Sequence, residues 1–343
     1  MNTKRKLELY PYYYIAPALL FVGLIVVIPN IYSFILSFTN YSLFHFDKFD
    51  FVGLKNYTKI LLTGEFGTFI AVFWWTLIWS LVSVFGQFAI GLALALILNK
   101  KDFKGSNFYR TLLIIPWAVP SFITVLMWTG LLNTDYGSIN NMLNSVPGLM
   151  PFITFMLGIV NWSIELFNST LGALNFGGFH LHLSTFAIGQ NIPWLTHGAW
   201  AKVAVLTVNL WLGFPYMMSI SLGALQGISS ELYEASSLDG ASKVQQFWKI
   251  TLPQLRSSML PVLITSFSFS FNNFVGIYLL TAGGPAMPGS QAGSTDILVS
   301  YTYKLAFNLS QYGLACAYAV LIFFIIGGLS AINFKATGAF KED

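Results

Sequence analysis

Long apolar runs alternate with short polar stretches along this chain. The first runs from about Tyr13 to Phe38, with no charge between Glu8 and Asp47. Others extend from Phe69 to Leu98, Thr111 to Leu132, Val203 to Ile228, Met259 to Leu280 and Leu314 to Phe334. A bilayer core takes roughly 20 residues in helical form. Backbone amides in lipid are satisfied only internally, so each run is predicted to be a helix. The pattern gives an all-α polytopic membrane protein with about six transmembrane helices. Lys4, Arg5 and Lys6 precede the first run as they would in a signal peptide, but the run is too long for one and lacks a small-residue cleavage site.

Composition sharpens this picture. Of 343 residues, 55% are hydrophobic and only 9% are charged, too few to hydrate a body of this size. Most of the surface therefore faces lipid, and the net charge of +4 is no argument for nucleic acid. Basic residues prefer the cytoplasmic side. With both termini inside, the inner segments hold 12 of them and the outer ones 5 (Lys48, Lys55, Lys59, Lys202 and Lys304). This places residues 1–12 and 335–343 in the cytoplasm, 39–68 outside as an external loop, and 69–334 as a core with a cytoplasmic loop at 229–256. One stretch resists: residues 147–192 are apolar from Leu149 to Val160 and glycine-rich around Gly177 and Gly178. A seventh span there would spoil the charge bias, so this external insert is predicted to be interfacial or re-entrant.

Signatures of chemistry are sparse. No phosphate loop of the GxxxxGK[ST] type occurs, so ATP hydrolysis is not expected in this chain. His180 and His182 lack a nearby third ligand, and a lone Cys316 forms no intramolecular disulfide, so no metal site is expected. None of the assigned spans contains a charge, which argues against an ion-coupled carrier. Small polar residues do occur within spans. Ser266, Ser270 and Asn273 fall at i, i+4 and i+7, on one face if they share a helix. By themselves they read as interhelical glue sooner than as a binding surface. Pro116, Pro120 and Pro215 fall inside spans, where kinks are tolerated and open cavities.

The most polar long stretch, Glu231 to Leu255, reads as two short helices. The first ends at the turn pair Asp239-Gly240. The second starts at Ala241, carries Val244, Phe247, Trp248 and Leu252 on one face, and is closed by Pro253. Exposed Phe and Trp ask for a partner to bury them.

Glu234-Ala235, Asp239-Gly240-Ala241 and then Ile250, Leu252 and Pro253 resemble the EAA loop of permease subunits in binding-protein-dependent ABC importers. The segments SFNNFVGIYLLTAGGP, STDILVSYTYKLAF, IIPWAVPSFI and VNLWLGFPYMM are similar to those of the larger permease subunit of maltose and maltodextrin importers, over about Val52 to Lys335. The resemblance implies a type I ABC importer permease fold in the cell membrane. The implied partners are a second homologous permease subunit, two ABC ATPase subunits that bind the ATP, an extracellular sugar-binding protein and an oligosaccharide. It implies that Glu234, Ala235, Asp239, Gly240 and Ala241 shape the coupling turn. Trp117, Ser121, Asn209, Leu212, Gly213, Ser266, Ser270 and Asn273 would line a mid-membrane sugar site. Trp117 stands for a tyrosine and Ser270 for an asparagine of that pattern. The large external domain of the enterobacterial subunit is absent, and the insert at about Leu149 to Gln190 has no counterpart in it. An importer for a different sugar or polyol is the nearest alternative; a secondary carrier is the remote one.

Overall fold

A computed structural model describes residues 10–100, 103–170, 175–176, 179–180, 185–187 and 189–337. The outermost residues of both predicted cytoplasmic tails, Gly177, Gly178 and His182 lie outside them. The chain divides into two compact units, Met1–Gly64 with Thr302–Phe324, and Glu65–Tyr301 with Ile325–Asp343.

In the first unit α1 runs through Tyr10–Val22, a π-helical turn at Gly23–Val27, and Ile28–Leu36. Nearly all its side chains are exposed, as a helix facing lipid requires. The short α2, Lys55–Leu61, begins beside Asn56, whose Nδ2 donates to Ser37 O at 2.9 Å and Thr39 O at 2.8 Å. One amide thus binds the end of α1 to the loop that follows.

The second unit is built on the 33-residue α3, Phe66–Leu98. Then come α4, Ser106–Ala118, and α5, Ser121–Leu131, which meet at an 89° bend at Val119-Pro120. The short α6, Ser138–Ser145, leads into α7, Leu149–Thr170, and a two-residue antiparallel pair, β1 Asn175–Phe176 with β2 Phe179–His180. The 29-residue α8, Gly198–Gln226, follows. Next are α9, Ser230–Leu238, and α10, Lys243–Phe271, which ends in a 41° bend onto α11, Phe274–Thr281. The last elements are α12, Leu298–Tyr303, continued by a π turn at Lys304–Asn308, and α13, Tyr312–Thr337.

Among the described residues, five straight helices and the two bent pairs are long and apolar enough to cross a membrane. The six predicted spans all correspond to members of this set. The bend between α4 and α5 is where Pro120 removes a backbone donor, so the predicted proline kink is a full break.

Three readings are corrected. The insert carries a continuous 22-residue helix, α7, because helix continues through Asn161, Ser163 and Glu165, where apolarity alone had ended the run. Pro253 does not close the second loop helix. The π-helical turn at Phe247–Thr251 shifts the hydrogen-bond register just ahead of it, and α10 runs on to Phe271. Ser266, Ser270 and Asn273 do not share one helix, since α10 ends at Phe271 and Asn273 caps α11.

The core lies where α3 crosses α8. Lipid offers no hydrophobic drive between helices, so close contact depends on small residues. Gly91 supplies it: a Cβ there would sit 2.6 Å from the Met218 backbone nitrogen and 2.8 Å from the Met217 carbonyl carbon. Two apolar clusters result. Trp75, Trp79, Val125, Val205, Val208 and Ile277 fill one. Val84, Leu92, Met217, Met218, Leu255 and Met259 fill the other. At its start α8 also carries Lys202, which the sequence reading had left just outside the span. Its Nζ stands 4.8 Å from the centre of the Trp75 ring, a contact that keeps the cation attracted where water is scarce.

Candidate functional site

Along α3, Thr76, Ser80, Ser83 and Gln87 recur at helical spacing and are all buried. Ser83 and Gln87 face α8. Asn209 Nδ2 donates to Ser83 Oγ at 2.7 Å, and Gln87 Nε2 donates to Asn209 O at 2.9 Å. From the break between α10 and α11, Asn273 Nδ2 donates to Asn209 Oδ1 at 3.1 Å. Asn273 Oδ1 also accepts the Gly276 amide at 3.3 Å, capping α11. Trp79 Nε1 donates to Ser270 O at 3.0 Å. A polar layer thus crosses three elements, with one apolar cluster on either side of it. Gly213 belongs to the layer for a steric reason: a Cβ there would overlap the Gln87 side-chain amide.

A hollow of about 320 Å³ opens at the other break, lined by Pro116, Trp117, Val119, Pro120, Ser121 and Leu212. Trp117 is exposed and its ring lies 6.0 Å from that of Tyr216, tilted by 43°. The hollow presents a broad aromatic face, one hydroxyl and no charged side chain. That chemistry suits the apolar face of a neutral polar ring better than an ion.

The structure therefore distributes the eight predicted lining residues. Trp117, Ser121 and Leu212 meet at the hollow, while Asn209, Gly213, Ser270 and Asn273 belong to the polar layer. Ser266 is half-buried on α10, a full turn before Ser270. The sequence reading missed Ser83, Gln87 and Tyr216. The first two were signalled by the polar stripe within the Phe69–Leu98 run.

The turn predicted at Asp239-Gly240 forms. Ser229 caps α9 by accepting the Glu231 amide at 3.2 Å. After α9, Gly240 takes φ +80°. Its amide donates to Ser237 O at 3.1 Å, and the Ala241 amide donates to Ser236 O at 2.9 Å. This double bond pattern closes a helix on a left-handed residue, where glycine fits without strain. Ser242 and Gln245 then cap the next helix reciprocally. Gln246, also missed from sequence, ties the two helices: its buried Nε2 donates to Tyr233 O, Ser236 Oγ and Ser237 Oγ at 2.8 to 3.2 Å. Tyr233 OH adds a 2.9 Å hydrogen bond with Thr251 Oγ1. Glu234, Ala235, Asp239 and Gly240 are exposed on this clip, and Ala241 is half-buried.

Beside the clip lies a hollow of about 1450 Å³ bordered by Leu96, Phe103, Tyr233, Leu238, Phe247 and Trp248. Leu238 is 90%, Val244 67% and Trp248 61% exposed. Of the predicted apolar face, Val244 and Trp248 remain uncovered within this chain, while Phe247 is half-buried.

Residues 87–336 match the family described as binding-protein-dependent transport system inner membrane component. The chain is 37% identical over 340 residues to the galactooligosaccharides transport system permease protein GanP of Bacillus subtilis, covering 98% of this chain and 72% of that protein. It is 35% identical over 339 residues to the maltodextrin transport system permease protein MdxF of the same organism, covering 97% and 70%. To the maltose/maltodextrin transport system permease protein MalF of Escherichia coli K12 it is 40% identical over 291 residues, 83% of this chain but 49% of that protein. A chain of a bacterial ABC transporter for alginate import shares the fold, with a TM-score of 0.69 at 19% identity, covering 97% and 96%.

Proposed function

We propose, because this chain belongs to the binding-protein-dependent transport system inner membrane components, that it carries a neutral oligosaccharide across the membrane by alternating access. As a permease subunit of such a system it is a transport component of a multi-pass membrane assembly that works with a substrate-binding protein. The substrate is a maltodextrin-like or galactooligosaccharide-like sugar, delivered from outside by the binding protein. A second, homologous permease subunit completes the pathway. Two ATPase subunits bind the ATP, the clip around Gly240 docks into a cleft of one of them with Trp248 beside the contact, and both termini face that side.

The observation that carries this reading is the uncharged polar layer at the centre of the helices, joined to an aromatic-lined hollow at the α4–α5 break. Hydroxyls and amides match sugar hydroxyls, and an aromatic face matches a sugar ring. Both helix breaks flank α8, so a relative motion of α10 would be felt at Asn209 through Asn273. The clip around Gly240 leads into α10 without interruption, which gives ATPase closure a rigid lever to that break.

Co-purification in mild detergent tests the assembly: an ATPase and a second permease subunit are expected to come down with the chain. A chain that purified alone and transported without ATP would refute it in favour of a secondary carrier. Asn273→Leu tests the site. It leaves Asn209 Oδ1 short of a donor and removes the α11 cap, at a cost of about 1–3 kcal/mol. Sugar-stimulated ATP hydrolysis is expected to fall by about tenfold, on the scale of 1.4 kcal/mol per decade, while assembly persists. Unchanged stimulation would take the polar layer out of the sugar pathway. Uptake of labelled maltotriose against a galactotriose decides between the two sugar classes.

A further inference from the structure

We propose that α7 is an interfacial anchor lying in the outer leaflet of the bilayer, with lipid as its occupant, and does not cross the membrane. The side of the membrane rests on the orientation proposed above; the refusal to cross does not.

By length α7 is able to span, since its 22 residues extend about 33 Å at 1.5 Å per residue. None of its described side chains is buried, and Phe152, Phe155, Met156, Ile159 and Trp162 are exposed. So much open apolar surface on a single helix needs a cover, and lipid is the cover that fits it.

The position of α7 follows from its hydrogen bonds. At its middle, Asn161 accepts the Phe186 amide at 2.7 Å and donates to Phe186 O at 2.9 Å. The Phe186 ring meets Trp200 edge-on at 4.9 Å, and Trp200 Nε1 donates to Ala187 O at 3.0 Å. Trp200 is the third residue of α8. If α7 crossed the bilayer, Asn161 and the start of α8 would both lie near the midplane. The remaining stretch of α8, about 39 Å long, would then project about 24 Å beyond a 30 Å hydrocarbon core. Yet α8 is apolar to its far end at Leu225. Trp200 therefore sits at the edge of the hydrocarbon, and the middle of α7 sits with it.

The flanks of the insert agree. Asn140 on α6 donates to Ile192 O at 3.0 Å and accepts from Trp194 Nε1 at 3.1 Å, and Asn144 donates to Asn191 Oδ1 at 2.9 Å. The chain thus enters and leaves the insert at one level. A crossing by α7 would demand a second crossing on the way back, and among the described residues between Thr170 and Ile192 no helix provides one. Finally, Thr154, Gly158, Asn161, Glu165 and Asn168 recur every three or four residues, a narrow polar seam along an otherwise apolar helix. The seam includes Asn161, which holds Phe186, so the polar side of α7 turns toward the chain and Phe152, Phe155 and Ile159 turn away from it. The anchor holds residues 186–194 against the start of α8, the helix that carries Asn209, Leu212 and Gly213.

The test uses the assembled transporter with Cys316→Ala as background. Single cysteines are placed by Phe152→Cys, Ile159→Cys and Leu166→Cys, with Ser237→Cys in the coupling clip as the opposite-side control. Spin labels are read against oxygen and a water-soluble nickel chelate, and an impermeant maleimide is applied to intact cells for the outer face and to inside-out membrane vesicles for the cytoplasmic face. The expected result is one shared shallow depth for the three α7 positions and no reaction from the cytoplasm. Reaction of either end from the cytoplasm would overturn the proposal, as would full water access at all three, or a deep Phe152→Cys label beside a wet Leu166→Cys label. Labelling of Ser237→Cys from outside would reverse the orientation and overturn the outer-leaflet assignment; the depth readings separate that failure from failure of the anchor.

Discussion

Gly240→Glu is expected to lower ATP-driven sugar uptake by about tenfold or more, while the protein still reaches the membrane at wild-type levels. The reasons are local. Gly240 has φ +80°, and nothing lies within 4 Å of where its Cβ would stand, so the penalty is one of backbone conformation and not of crowding. A non-glycine residue held left-handed costs about 1–2 kcal/mol, and 1.4 kcal/mol is a decade. The chain relieves that cost by opening the bonds from Gly240 N to Ser237 O and from Ala241 N to Ser236 O. The clip then loses its shape on the surface offered to the ATPase, and a carboxylate is added there as well. The helices that cross the membrane are untouched. Transport assays beside quantitative membrane immunoblots check this. Normal uptake by Gly240→Glu would mean that the turn does not transmit ATPase closure. Gly240→Asn provides the graded control, since asparagine tolerates left-handed backbone better than other side chains; its uptake is expected to be intermediate.

Gly91→Leu is expected to damage the fold itself severely. Its Cβ would fall within 2.8 Å of backbone atoms of both Met217 and Met218, and backbone cannot swing aside. Helices α3 and α8 would have to separate along the contact that positions both apolar clusters. Overpacking alone typically costs about 1–3 kcal/mol, and here it also opens the polar layer one turn away, where Gln87 meets Asn209. Gly223→Leu, on α8 with nothing within 4 Å of its Cβ, is expected to behave as wild type. Size-exclusion profiles of detergent-solubilised protein after a temperature series read the difference. Equal midpoints for Gly91→Leu and Gly223→Leu would show that the α3–α8 approach is not what holds the core.

Much of the coupling clip was legible in the sequence because its signals are local. Asp239-Gly240 marks a turn through glycine's access to positive φ, and Ser242 with Gln245 three residues later is a capping pair. Gln246 was not legible, since its three partners lie 9 to 13 residues away and are brought together only by the turn. The polar layer divides in the same way. The stripe Thr76, Ser80, Ser83 and Gln87 stands in the sequence at helical spacing, although the reading passed over it. The resemblance grouped Asn209 with Asn273, 64 residues away, but neither it nor spacing joined Asn209 to Ser83, 126 residues away.

By itself the sequence determined that the chain is a helical membrane protein, roughly where its spans lie, and where the turn at Asp239-Gly240 falls. Apolar run length, charge bias and turn dipeptides are properties of neighbouring residues, and lipid compels every long apolar run to close its own hydrogen bonds as a helix. Tertiary structure decided where helices break and what the breaks are for. The break after Phe271, where Asn273 turns to Asn209, and the holding of α7 by Asn161 on Phe186 depend on partners supplied from elsewhere in the chain, while the passage through Pro253 rests on a π turn within α10 itself. A break or a polar side chain in lipid is tolerated only where such a partner satisfies it, and no local pattern records which partner that is.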